Sequence, residues 1–144
     1  MTPGSTERKA KQPMPFVEPR DIGPKPWGTE TLLAHTPLYT LKKLIYEPGH
    51  QGALQYHERK DEAFYLAEGA AEVTWIEDHD ARPPVESRFY SRRMTPGMTF
   101  HVPPGTPHKF RAITRCIVYE ASNPVFDDRV NVAERYGDDD GQAR

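Results

Sequence analysis

The stretch GHQGALQYHERKDEAFYLAEG, residues 49–69, decides the fold. Gln55 and His57 stand two apart, so in a strand their side chains leave the same face. Five residues later Glu62 opens the next run, and antiparallel strands joined by so short a turn lie ~5 Å apart. The carboxylate is thereby brought beside the first pair. A second stretch, GMTFHVPPGTPHKFRA at residues 97–112, delivers His108 at the start of a strand, directly after a rigid Pro-x-Gly turn. An amide oxygen, two imidazoles and a carboxylate make a mixed nitrogen and oxygen set that suits Zn, Mn, Fe, Co or Ni and offers a thiophilic ion no anchor. Scattered His and Glu in β proteins are more often solvated or hydrogen-bonded core groups, so the spacing has to decide.

Working outward, the texture is all β. Strand-like runs cover residues 39–47, 53–57, 63–67, 71–77, 87–93, 98–102, 108–114 and 116–122. Pro48-Gly49, Pro96-Gly97 and residues 103–107 punctuate them, and residues 78–86 with Pro83-Pro84 read as a loop. Short strands with this spacing of Pro and Gly imply a barrel or jelly roll. The pattern also permits a short helix over residues 130–136. Residues 1–26 hold six prolines and no apolar periodicity, and are expected to be a flexible arm whose first fifteen or so residues are disordered. Residues 27–137 form the expected barrel and residues 138–144 a disordered acidic tail.

Composition narrows the function. A chain of 144 residues suits one domain. Nineteen basic against twenty-one acidic residues leave a net charge of -2, which gives no basis for nucleic-acid or anionic-membrane binding. No apolar run approaches the ~20 residues needed to cross a bilayer, and the N-terminus lacks the apolar core of a secretory signal. Cys116 is the only cysteine, so neither an intrachain disulfide nor a cysteine-based zinc site is available. A cytoplasmic protein is expected.

The two stretches resemble the paired motifs of the cupin family. The first reads Gly49-x5-Gln55-x-His57-x4-Glu62-x6-Gly69, and the second Gly97-x5-Pro103-x-Gly105-x2-His108-x3-Ala112. Gln55 stands where the family has its first histidine, and Ala112 where it has an asparagine. The resemblance implies a double-stranded β-helix, the cupin jelly roll, with one divalent metal held by Gln55, His57, Glu62 and His108. The Gln-x-His start is similar to the mannose-6-phosphate isomerase branch. Pro26-Trp27-Gly28, the run from Lys42 to Gly49, Val118-Tyr119-Glu120, the run from Asp127 to Val130, and Arg135-Tyr136-Gly137 follow that branch in order. The branch's His-His-His-Arg run is reduced here to His57-Glu58-Arg59-Lys60.

That resemblance implies an aldose–ketose isomerase acting on a sugar or sugar phosphate, with Zn or Mn as the favoured ion. Lys42 and Glu120 match a lysine and a glutamate of the branch and become candidates for the catalytic base. Their plain alternative is a charged outer strand face. Lys60, Lys109 and Arg111 flank the ligands and are candidates for a phosphate, or else a solvated rim. Two other functions stay open: a metal-dependent dioxygenase, whose iron more often has a His-rich set, and a non-catalytic sugar or effector binder. His101 is expected to face away from the site, and His35, His50 and His79 to lie in loops or turns. Tyr65, Trp75, Phe89 and Phe110 are expected in the core or cavity wall, and Cys116 as a small buried residue. A homodimer is expected, with residues 16–27 covering a neighbour's sheet edge.

Overall fold

The computed structural model describes residues 16–50, 52–77 and 89–132. Eleven strands run through these residues: β1 Arg20–Lys25, β2 Gly28–His35, β3 Thr40–Tyr46, β4 Gln55–His57, β5 Glu62–Glu68, β6 Ala71–Ile76, β7 Phe89–Met94, β8 Thr99–Val102, β9 His108–Ala112, β10 Cys116–Ser122 and β11 Arg129–Asn131. They form two antiparallel sheets, ordered β1-β2-β3-β10-β5-β8 and β11-β4-β9-β6-β7. This is the expected all-β jelly roll.

Alternation of burial tells which side of each strand faces inward. β3, β5, β9 and β10 bury every second residue, the signature of a sheet with one face on a core. Register then stacks the inward residues in layers. Thr40 lies opposite Ser122, and Ser122 opposite Glu62; Lys42 lies opposite Glu120, and Glu120 opposite Phe64; Leu44 lies opposite Val118, and Val118 opposite Leu66. One end of the interior is therefore charged and the other apolar. The apolar end holds Leu44, Leu66, Ala71, Val73, Met94, Cys116 and Val118. A smaller cluster of Leu54, Tyr56, Ile76 and Val132 packs behind β4. Burying Tyr56 on that side leaves its strand neighbours Gln55 and His57 to the cavity, where both are found.

Two motif glycines have conformational reasons. Gly69 has φ +97°, and a Cβ there would overlap the carbonyl oxygen of Arg115. Gly105 has φ +85° and its N–H donates to the His57 carbonyl at 2.6 Å, which ties the turn before His108 to β4.

The structure departs from the sequence-based expectation in several places. Residues 20–25, expected in the arm, form β1, which pairs with β2 of its own chain at the sheet edge. β2 was not expected either. Val130 and Asn131 lie in β11, not in a helix, and residues 133–136 of that expected helix lie outside the described residues. The first fifteen residues, the whole loop at 78–86 with His79, and the acidic tail lie outside the described residues. Tyr65 is 44% exposed on the outer face rather than in the core, because Glu62, Phe64 and Leu66 take the inward positions of β5. No helix among the described residues is long and apolar enough to cross a membrane.

Candidate functional site: a charged cavity at one end of the barrel

A cavity of about 960 Å³ opens at the charged end. It is lined by all four expected metal ligands, Gln55, His57, Glu62 and His108, and by Lys42, Lys60, Lys109 and Glu120. Pairing explains the convergence: Gln55 lies opposite His108 between β4 and β9, and Glu62 heads β5 in the facing sheet. Arg111 is the exception among the expected site residues. It does not line the cavity, and its Nη2 lies 3.7 Å from Glu72 Oε1. With His108, Phe110 and Ala112 buried on β9, position 111 belongs to the outer face.

Glu62 is the centre of the site and is 2% exposed. His108 Nε2 lies 3.2 Å from its Oε1, and His57 Nε2 lies 3.8 Å from its Oε2. Each imidazole is held at its other nitrogen. His57 Nδ1 meets Asp128 Oδ1 at 3.0 Å, and His108 Nδ1 meets the Thr106 carbonyl at 2.8 Å. Carboxylate and carbonyl oxygens only accept, so both bonds place the proton on Nδ1 and leave Nε2 to face Glu62 with a lone pair. A lone pair 3.2 Å from a carboxylate oxygen needs a proton or a cation between them.

As the side chains stand, no three His, Cys, Asp or Glu among the described residues form a ready-made cation cage. Lys60 supplies the nearest positive charge instead, with Nζ 3.2 Å from Glu62 Oε2. Yet the donor chemistry fits a divalent ion. Two donors ~2.1 Å from one ion stand ~3.0–3.4 Å apart, the spacing of His108 and Glu62. Glu62 Oε2 is buried and, despite the nearby ammonium, accepts no hydrogen bond of good geometry. Held Nδ1 atoms with free Nε2 atoms are also how ligating histidines are oriented.

Next to this set runs a chain of charges that begins at the buried Lys60, Glu120 and Lys42 and ends at the exposed Lys25. Lys60 Nζ is 3.5 Å from Glu120 Oε2, Lys42 Nζ is 3.9 Å from the same oxygen and 3.2 Å from Glu30 Oε1, and Lys25 Nζ is 3.4 Å from Glu30 Oε2. Lys42 and Glu120 thus sit inside the cavity rather than on an outer face. Burial raises the Glu120 pKa, helped by Glu62 and resisted by Lys60 and Lys42. For Glu62, burial acts upward too, but the neighbouring His108, Lys60 and His57 outweigh it and the value falls. Burial acts to lower Lys60, and the two carboxylates together carry it above its ordinary value. Burial lowers His57 against the pull of Glu62 and Asp128, and so favours its neutral form.

Aromatic side chains form another wall. Trp27 stacks on Tyr46 with ring centroids 4.3 Å apart, and Tyr46 meets Phe110 at 4.6 Å; all three line the cavity. Phe126 lies at the mouth, 5.4 Å from Lys42 Nζ. His101 faces out and meets Asp61 at 2.7 Å, His50 lies in an exposed turn, and His35 ends β2 against Phe126. Trp75 and Phe89 pack partly buried against the two cores, and Cys116 is buried. The sequence reading missed Glu30, Asp128 and the Trp27–Tyr46 stack. Asp128 had a signal, since it lies in the matched fragment from Asp127 to Val130.

A family model described as Cupin domain matches residues 43–120. No curated protein sequence matches the chain. Among solved structures, KdgF from a Halomonas species is 27% identical with a TM-score of 0.61, over 77% of this chain and 91% of that one. The capsular polysaccharide assembling protein CapF from Staphylococcus aureus is 17% identical with a TM-score of 0.66, over 85% of this chain and 34% of its own. A recombinant oxalate oxidase in complex with glycolate is 22% identical with a TM-score of 0.54, over 65% of this chain and 46% of its own. The last two likenesses concern the fold alone.

Proposed function

Because this chain belongs to the cupin family, we propose that it is a metal-dependent isomerase interconverting an aldose and a ketose, free or phosphorylated. One observation carries the reading: a donor set that fits a cation and a buried acid–base group, Glu120, share one cavity. Isomerisation moves a proton between C1 and C2 through an enediolate, which calls for a base near neutral pKa and for stabilisation of a developing oxyanion.

A divalent ion held by His57, Glu62 and His108, with Gln55 beside them, would act there as a Lewis acid. The other tasks fall to the chain itself. Glu120, raised by burial, keeps its proton to higher pH than an ordinary carboxylate does. Its Oε2 takes the proton from one carbon and returns it to the other. Lys60 and Lys42, both near Oε2, orient it and favour its charged state between turnovers. The Trp27, Tyr46 and Phe110 wall offers a flat apolar surface to the C–H face of a sugar and excludes water. Lys109 and Arg129, which border the cavity, suit a phosphate.

The test is an NMR screen of aldose and ketose phosphates in deuterated water with Zn- or Mn-loaded protein. Deuterium is expected at C1 or C2, removed by chelation and reduced ~10²–10⁴-fold in Glu120→Gln. Tight sugar binding without exchange would refute the isomerase and leave a non-catalytic binder.

A further inference from the structure

Two side chains of the loop between β10 and β11 template the turn between β4 and β5. Asn123 Oδ1 accepts from the Asp61 N–H at 3.1 Å, and its Nδ2 donates to the Arg59 carbonyl at 3.1 Å. Asp128 Oδ2 accepts from the N–H groups of Arg59 at 2.6 Å and Lys60 at 2.9 Å. Its Oδ1 takes the third bond, from His57 Nδ1. Asp128 is 8% exposed and precedes Arg129, which lies opposite His57 between β11 and β4.

We propose that Asp128 is the positioning residue of the cavity: it fixes the Nδ1–H tautomer of His57 and, through the same carboxylate, the turn that presents Lys60. The consequence for cation binding rests on His57 being a ligand, while the tautomer itself does not. The two roles of Asp128 separate in one substitution. In Asp128→Asn the amide oxygen is needed by the two backbone N–H groups, which leaves the NH2 for His57. An NH2 only donates, so Nδ1 must accept and the proton moves to Nε2. The backbone bonds survive, and the cavity-facing lone pair does not.

The experiment uses the full chain, metal-free, at pH 8, where an ordinary imidazole is neutral. Nitrogen-15 NMR of wild type is expected to show His57 protonated at Nδ1 and bare at Nε2, with the pattern reversed in Asp128→Asn. Zn²⁺ affinity is expected to fall ~10–100-fold in Asp128→Asn. Asn123→Ala, which loosens the same turn without touching His57, keeps the wild-type tautomer. A wild-type protein protonated at Nε2 overturns the inference without any variant, as does an unchanged tautomer in a folded Asp128→Asn. A reversal seen in proteins that do not bind Zn²⁺ upholds the tautomer role and refutes the metal reading instead.

Discussion

Lys60→Met probes the electrostatics of the cavity most directly. The ammonium lies 3.2 Å from Glu62 Oε2 and 3.5 Å from Glu120 Oε2, on a residue 7% exposed. At an effective dielectric of ~20 each contact amounts to ~5 kcal/mol of gross attraction, before the loss of the ion's hydration is subtracted. Removing one partner of a buried pair has a net cost of ~3–5 kcal/mol. Glu120 limits the loss here, because it can take up a proton. Its folded pKa is raised, so its contribution to stability is complete below the unfolded value of ~4.3 and is lost as pH rises through the folded value. Deleting Lys60, which pulls Glu120 down, lifts that value further and extends the loss to higher pH. The expected cost is therefore ~3 kcal/mol at pH 8, on the order of 10 °C in melting temperature, and it shrinks toward pH 5. Urea unfolding followed by circular dichroism at both pH values measures it. Zn²⁺ should also stabilise the variant more than wild type, since it replaces the missing charge at Glu62. A variant within 1 kcal/mol of wild type at both pH values would show that Lys60 is no buried counter-ion, and the reasoning would fail.

Two further outcomes are expected. His108→Ala should lower Zn²⁺ affinity by more than ~100-fold, beyond the range of an outer-shell change, with the strand signature of the circular dichroism spectrum retained; stoichiometric Zn²⁺ in the purified variant would remove His108 from the ligand set. Wild-type stability should fall as pH drops below ~6.5, because His57 is lowered on folding and the unfolded chain protonates first. The fall should steepen below ~4, where Glu62 and Asp128, both lowered, lose their charged-state advantage; a urea midpoint unchanged between pH 4.5 and 3 would contradict this.

Much of the site was legible because strands carry information at a period of two. Gln55 and His57 on one face, Glu62 after a short turn and His108 after a Pro-Gly turn need only local geometry to be placed, and all four line the cavity. The same period of two sends Tyr65 on β5 and Arg111 on β9 outward. β1 and β2 were hidden by Gly23, Pro24, Pro26 and Gly28, which read as breakers. An irregular edge strand tolerates them, since a missing N–H there breaks no ladder. The roles of Glu30 and Asp128 were hidden for a different reason, even though Asp128 lies within the matched fragment from Asp127 to Val130. Each gains its role from a residue on another strand, Lys42 and His57, and which strands meet is a property of the whole topology.

The place of β10 has a consequence for how the molecule comes into being. It is the tenth strand among the described residues yet sits between β3 and β5 in the middle of its sheet, and Thr40 meets Ser122 across 82 residues at 2.8 Å. Until β10 arrives, β3 and β5 have no common neighbour, and the half-cavities they carry stay apart. On a ribosome, a nascent chain ending before residue 116 would hold His57, Glu62 and His108 already synthesised but lack the strand that joins Glu62 on β5 to Lys42 on β3. Pairings over such distances close slowly. Assembly of the cavity is thus an act of the last strands, and a divalent ion meeting the chain earlier would find donors without an address.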